Sequence, residues 1–219
     1  MPPVLRLYED VLSNGAEVSL PARPRMIFVA HGAVAVADHG PLHDDEAIGS
    51  ESAIGFRGER EGATVWRFEL GAGNEDGAVA ASGIVSRERL SARLDALPRG
   101  ALLLRGDSVA FPPGGCAYLH RHQGPGIRCL IDGGIRIDTK GHSTSYAPGG
   151  AWFESGPDPV FAQAAADRPT RFIRTMILPM AYFARSSVEY LKEEDKPKPK
   201  TQTYKIYVDM PIDIVHSPA

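Results

Sequence analysis

Short apolar runs recur along this chain, most of them four to eight residues long and bounded by Gly, Pro, Asn or Asp. Ala63–Leu70 (ATVWRFEL) alternates apolar and polar positions most clearly, the two-residue period of a half-buried strand. Ala16–Leu20, Ser52–Phe56, Ala101–Leu104, Ser108–Phe111, Tyr118–His122, Ile127–Ile131, Ile135–Asp138, Ser143–Tyr146, Trp152–Glu154, Val160–Ala164 and Arg171–Leu178 read as further strands. Arg25–Val36 reads as two strands broken by a tight turn at His31-Gly32, and Arg105-Gly106-Asp107 reads as a turn. One segment departs from this pattern. Ser86–Leu97 places Leu90, Leu94 and Leu97 at helical spacing, with Ser86 as an N-cap and Pro98 and Gly100 as terminators. It predicts a short helix between two β-rich halves. After an extended charged stretch, Lys192–Lys200, a last strand is expected at Thr203–Val208, pairing with one of the sheets or with a second subunit.

The two halves repeat one order of features. Ile27-Phe28-Val29-Ala30-His31-Gly32, followed by Val34 and Val36, matches Arg128-Cys129-Leu130-Ile131-Asp132-Gly133, followed by Ile135 and Ile137. A loop with His43 or His142, a Gly-containing turn with a Phe, and a closing apolar strand follow in each half. The halves differ in one respect: a His-x-His strand precedes only the second.

Composition narrows the class. The 23 glycines and 18 prolines of the 219 residues suit many turns and short strands better than long helices. A formal net charge of −3 gives no reason to expect a nucleic acid or an anionic membrane as partner. No run of about 18 apolar residues is present, so a membrane span is not expected. The amino-terminal stretch carries no apolar signal region, and the two cysteines, Cys116 and Cys129, sit in apolar strand-like runs. Reduced, buried thiols in a cytoplasmic protein are the expectation.

The candidate chemistry lies in Phe111–Asp132. Alternation places His120 and His122 on one strand face with Tyr118. Two imidazoles side by side are either half of a metal site or a hydrogen-bonded polar pair. Gly114, His120, His122 and Gly133 fall on positions of the first motif of the cupin superfamily, which the second half resembles. The family's Glu position lands on Gly126 or Ile127, so that ligand is missing and the glycine leaves room beside the metal position. In the second motif Gly149 stands first, Ser155 and Pro157 replace its Pro and Gly, and Val160 and Ala164 replace its His and Asn.

The resemblance implies an all-β chain of two cupin-like jelly-roll β-barrel units, a bicupin. A degenerate unit spans 1–85, a helical linker 86–100, a unit with the His-x-His motif 101–185, and a tail 186–219. It implies a divalent transition metal (Fe, Mn, Ni, Cu or Zn) held by His120 and His122, with Glu154 as the candidate third ligand or, alternatively, a surface carboxylate. Arg128 either faces inward to pair with a carboxylate substrate or points outward. Tyr118 and Trp152 would line a small-molecule pocket or belong to the core, and Gln163 is a weaker candidate for substrate contact. The functional expectations are a metal-dependent enzyme of oxygenase, isomerase or lyase type, or a metal-free module that binds a small ligand. Monomer and homodimer both remain open.

Overall fold

The computed structural model describes residues 2–73 and 77–213. They form two compact units, one drawn from the described residues of Met1–Asp95 and Ile212–Ala219, the other from Ala96–Pro211. Both are built from antiparallel strands, and no α-helix occurs among the described residues. None of their helical turns is long and apolar enough to cross a membrane.

The first unit holds β1 (Val4–Leu12), β2 (Glu17–Leu20), β3 (Arg25–Val36), β4 (Gly40–His43), β5 (Ala47–Ser50), β6 (Ile54–Gly71) and β7 (Ile84–Arg93). They make one seven-stranded sheet with the path β4-β3-β6-β1-β7. β7 occupies the segment expected to be helical. Its apparent helical leucines are a coincidence of spacing. Ala92 is buried, Leu90 is half-buried and Arg87, Glu88, Arg89 and Arg93 are exposed, as suits a charged edge strand paired only with β1. The Ser86 hydroxyl donates to Asp10 instead of capping a helix. The turn expected at His31-Gly32 is likewise absent. β3 continues through it as one strand with local register shifts at Val29/His31 and Gly32/Val34. The runs expected at Ser52–Phe56 and Ala63–Leu70 merge into the single long β6.

The second unit holds β8 (Leu102–Phe111), β9 (Cys116–His122), β10 (Gly126–Asp132), β11 (Ile135–Thr139), β12 (His142–Tyr146), β13 (Ala151–Glu154), β14 (Val160–Ala164), β15 (Thr170–Pro179), β16 (Val188–Tyr190) and β17 (Thr203–Ile212). Two five-stranded sheets result, β13-β10-β15-β8-β17 and β12-β11-β14-β9-β16. Val109, Phe111, Leu130, Trp152 and Phe172 of the first meet Ala117, Ile135, Ile137, Val160 and Ala162 of the second in one apolar core. The returning tail strand is β17, at the edge beside β8.

Arg105-Gly106-Asp107, expected as a turn, lies inside β8. Its charges are buried and paired. Asp107 accepts both arms of Arg174 at 2.7 and 2.8 Å, directly across the β8–β15 ladder. Removing one partner of such a pair costs about 3–5 kcal/mol because the other charge stays buried. In the first unit Arg67 of β6 meets Asp10 of β1 at 2.9 Å, both without exposure. Ladder registers repeat as well: Ile27 lies opposite Arg67 and Val29 opposite Val65, as Arg128 lies opposite Arg174 and Leu130 opposite Phe172.

Gly32 and Gly133 occupy matching places at φ +82° and +81°. A Cβ on Gly133 would stand 2.3 Å from the Pro169 carbonyl oxygen, which is backbone and cannot turn aside. Gly133→Ala is expected to cost about 1–3 kcal/mol or more in urea unfolding. Gly141→Ala, at a similar φ of +76° with open space around it, should cost less. Equal stabilities would refute the close-approach account of Gly133.

Candidate functional site

The histidine strand owes its geometry to a bulge. On β14, Val160 and Ala162 are two residues apart, but their partners on β9, His120 and Ala117, are three apart. The extra residue breaks the alternation between Ala117 and His120. Ala117, His120 and His122 are buried inward, while Tyr118 turns away from them. The Tyr118 ring lies instead about 5.0 Å from the ammonium groups of Lys198 and Lys200. Only its backbone serves the pocket: its carbonyl accepts a 2.7 Å bond from His120 Nδ1.

That bond fixes the tautomer. A carbonyl cannot donate, so His120 Nδ1 carries the proton and the neutral ring presents a bare lone pair at Nε2. Nε2 points at His122 Nε2, 3.2 Å away. Glu154 Oε2 lies 3.4 Å from the same His122 nitrogen. Glu154 is the last residue of β13. Its Oε1 accepts from Trp152 Nε1 at 2.8 Å, and Trp152 is clamped between Tyr146 and Phe172 at 4.8 and 5.2 Å. Trp152 therefore orients the carboxylate from within the core.

Arg128 reaches inward from β10 with no exposure. Its Nη1 donates to the Gly126 carbonyl at 2.6 Å, and its Nη2 lies 2.8 Å from Glu154 Oε2. The second contact is an ion pair without hydrogen-bond alignment, and Oε2 is left with no donor, as is His122 Nδ1 with no partner. The expected room at Gly126 does not exist. A Cβ there would meet the Thr175 oxygen at 2.4 Å and Met176 Cγ at 2.6 Å, so the glycine serves close strand approach. Gln163 is elsewhere: its amide donates to the Gly114 and Gly115 carbonyls, tying down the turn before β9.

His120, His122, Arg128, Glu154, Arg174, Tyr204 and apolar core side chains enclose a cavity of about 20 Å³, room for one water or one ion. Arg174, Asp107 and Tyr204 escaped the sequence reading. A single Arg inside the apolar run Phe172–Leu178 was the available signal for the first. Burial lowers Arg128 to about 10, opposed by Glu154, so it remains charged at neutral pH. Burial also acts on Arg174, but Asp107 more than offsets it and its pKa is raised. Burial pushes His120 down, and His122 well down with help from Arg128 and His120.

The donor chemistry suits a cation. His120 Nε2 and Glu154 Oε2 are lone-pair atoms, Oε2 is orphaned, and His122 Nε2 becomes a lone-pair atom once its proton moves to the partnerless Nδ1. Ligands bonded at about 2.1 Å to one metal stand about 3.0–3.4 Å from each other, which matches the 3.2 and 3.4 Å separations. The arrangement as it stands falls short: among the described residues no group of three or more His, Cys, Asp or Glu is placed to hold a metal ion. Arg128 stands beside the carboxylate that would complete it.

The fold agrees with known structures. A tryptophan variant of oxalate decarboxylase from Bacillus subtilis superposes with a TM-score of 0.63 at 12% identity, over 89% of this chain and 73% of that one. The fold is that of a cupin. A cupin 2 conserved barrel domain protein from Leptotrichia buccalis gives 0.50 at 10% identity, covering 80% and 84%. A third structure, of the Bacillus subtilis decarboxylase and described for its Mn(II) centres, gives 0.61 at 11%, covering 91% and 81%. No family model and no curated protein matches the sequence. At these identities the likeness establishes the cupin fold alone.

Two outcomes follow for the metal-free protein. Glu154→Gln leaves Arg128 buried without its counter-charge and should cost about 3–5 kcal/mol in urea unfolding. Adding Arg128→Met should restore part of that loss; a double variant less stable than Glu154→Gln would contradict the pairing. The second outcome concerns pH. The unfolded chain takes protons near pH 6.5 that the folded histidines refuse. Stability should therefore fall as pH drops below about 6.5, by up to ~1.4 kcal/mol per pH unit for each histidine. His120→Gln with His122→Gln should flatten that slope, and an unchanged slope would contradict the assignment.

Proposed function

We propose that the chain is a metal-binding bicupin whose second barrel holds a divalent transition metal on His120, His122 and Glu154, and that it acts on a small carboxylated molecule. The observation that carries the reading is the meeting of His120 Nε2, bare by its tautomer, with His122 Nε2 at 3.2 Å beside the orphaned Glu154 Oε2. The bicupin part is supported by the repeated buried Asp–Arg pairs and matched left-handed glycines, and by a likeness to the decarboxylase that runs over 89% of the chain. The first unit would be structural: its Asp10, Arg67, Glu69 and Arg25 neutralise one another.

A metal bound there would supply Lewis-acid chemistry. The chain's own groups set the rest. The Tyr118 carbonyl keeps His120 in the liganding tautomer. Trp152 holds Glu154 by one oxygen and leaves the other to the site. Arg128, relieved of Glu154, would take the carboxylate of a small acid. Low proton affinity at both histidines keeps them available as ligands at neutral pH.

A metal-free ligand-binding module is the second reading, favoured by the Arg128–Glu154 ion pair at 2.8 Å. Calorimetric titration of untagged, chelator-treated protein with Mn(II), Fe(II) and Zn(II) separates the two. Near-stoichiometric binding is expected for at least one ion. His120→Ala and His122→Ala should each abolish it, and Glu154→Gln should weaken it at least tenfold. No binding by any divalent ion, or undiminished binding in the histidine variants, would overturn the metal reading.

A further inference from the structure

The cavity beside His120 admits one water or ion, so any organic substrate needs a way in. One stretch of the second unit is built to supply it. β16 pairs with the histidine strand itself: Val188 lies opposite His122 and Tyr190 opposite His120, with the Tyr190 and His120 rings 6.2 Å apart. At the far end Tyr204 lines the cavity. Between them the chain runs through a 3₁₀ turn at Glu193–Asp195 and the sequence Lys196-Pro197-Lys198-Pro199-Lys200.

What holds this stretch down is unusual in kind. No buried apolar side chain occurs between Leu178 and Val208; the buried residues there are Ser187, Asp195 and Gln202. Lifting it therefore exposes no fully buried apolar side chain of its own, which is the signature of a low-stability local unit. Beyond the short β16–β9 ladder and the Leu191 N–H bond to the Leu119 carbonyl, its side-chain contacts are polar and cationic, several of them knitting the stretch to itself. Lys200 Nζ lies 4.1 Å from the Tyr190 ring centroid and 5.0 Å from that of Tyr118, and also donates to the Asp195 carbonyl. Lys198 Nζ lies 5.0 Å from the Tyr118 ring and 2.6 Å from Asp195 Oδ1. Gln202 Nε2 donates to both the Tyr190 and Tyr204 hydroxyls, at 2.9 and 3.2 Å. Arg121 and Gln123 hold Glu189 at the exposed edge.

We infer that residues 187–204 form a strap that opens and closes over the histidine pocket, latched by Lys198 and Lys200 against Tyr118. Tyr118, which the β9 bulge turned away from the pocket, is thereby the fixed half of the latch. Cation–π contacts of this kind are individually weak, so the strap releases locally while β8 and β15 stay folded. Opening removes Tyr190 from beside His120 and Tyr204 from the cavity lining. The inference takes the pocket of the proposed function as its site, but its test reads access and needs no metal.

The test uses the full chain in two parallel measurements. Hydrogen exchange is followed by mass spectrometry over 187–204. Carbethoxylation of His120 and His122 by diethyl pyrocarbonate is followed by peptide mapping. Lys198→Gln with Lys200→Gln should raise both rates about tenfold, with exchange in β8 and β15 unchanged. Lys198→Arg with Lys200→Arg, which keeps the cations, should stay within about twofold of the parent. Unaltered rates in the Gln variant would overturn the latch. So would equal acceleration in the Arg variant, or acceleration spread through β8 and β15. Failure of metal binding with these rates as expected would leave the strap standing and count only against the metal reading.

Discussion

A guanidinium with no exposure to water, 2.8 Å from a carboxylate oxygen that still lacks a hydrogen-bond donor, governs what this barrel can do. Arg128 cannot be left unpaired at that depth, and Glu154 cannot be spared without a replacement cation. On the proposed reading the pocket is balanced between two arrangements. In one, Arg128 neutralises Glu154 and the two imidazoles share a proton between their Nε2 atoms. In the other, a divalent ion would take both nitrogens and the carboxylate, and Arg128 would need a new anion. The cost of an unpaired buried charge would couple the metal to an acidic ligand in that second arrangement.

The surrounding core sustains this balance. Trp152 is wedged between Tyr146 and Phe172 and hands one hydrogen bond to Glu154, so the carboxylate is positioned by packing and not by solvent. Arg174 lines the cavity and is held behind it by Asp107 in a self-contained bidentate pair. They add buried polarity without competing for Glu154. A strap with no fully buried apolar side chain covers the same pocket, so the rigid and the movable parts divide between the sheets and residues 187–204.

The turn-bounded apolar runs carried the all-β class, and most strands lie where alternation placed them. Departures arose where a local pattern was overruled by a distant partner. Leu90, Leu94 and Leu97 imitate a helix, but β1 needed an edge partner and the polar residues of Ser86–Arg93 suit a solvent-facing strand. Arg105-Gly106-Asp107 looked like a turn because its charges find their partners far away, Arg174 and Asp209 among them. At the site, the spacing of His120 and His122 is enough to place both on one face. Tyr118 could not be placed by the same rule, because the β9 bulge depends on how β14 pairs. Gly126 invited the idea of free space, whereas its missing Cβ is what lets β15 approach.

The central claim is that a cation completes the set His120, His122 and Glu154. Anomalous difference density from crystals grown with Mn(II), collected near its absorption edge, tests it most directly. The account predicts one strong peak within bonding distance of both Nε2 atoms and of Glu154 Oε2, with Arg128 withdrawn from that oxygen. Crystals that show no peak there, with Arg128 and Glu154 still in contact, would contradict it.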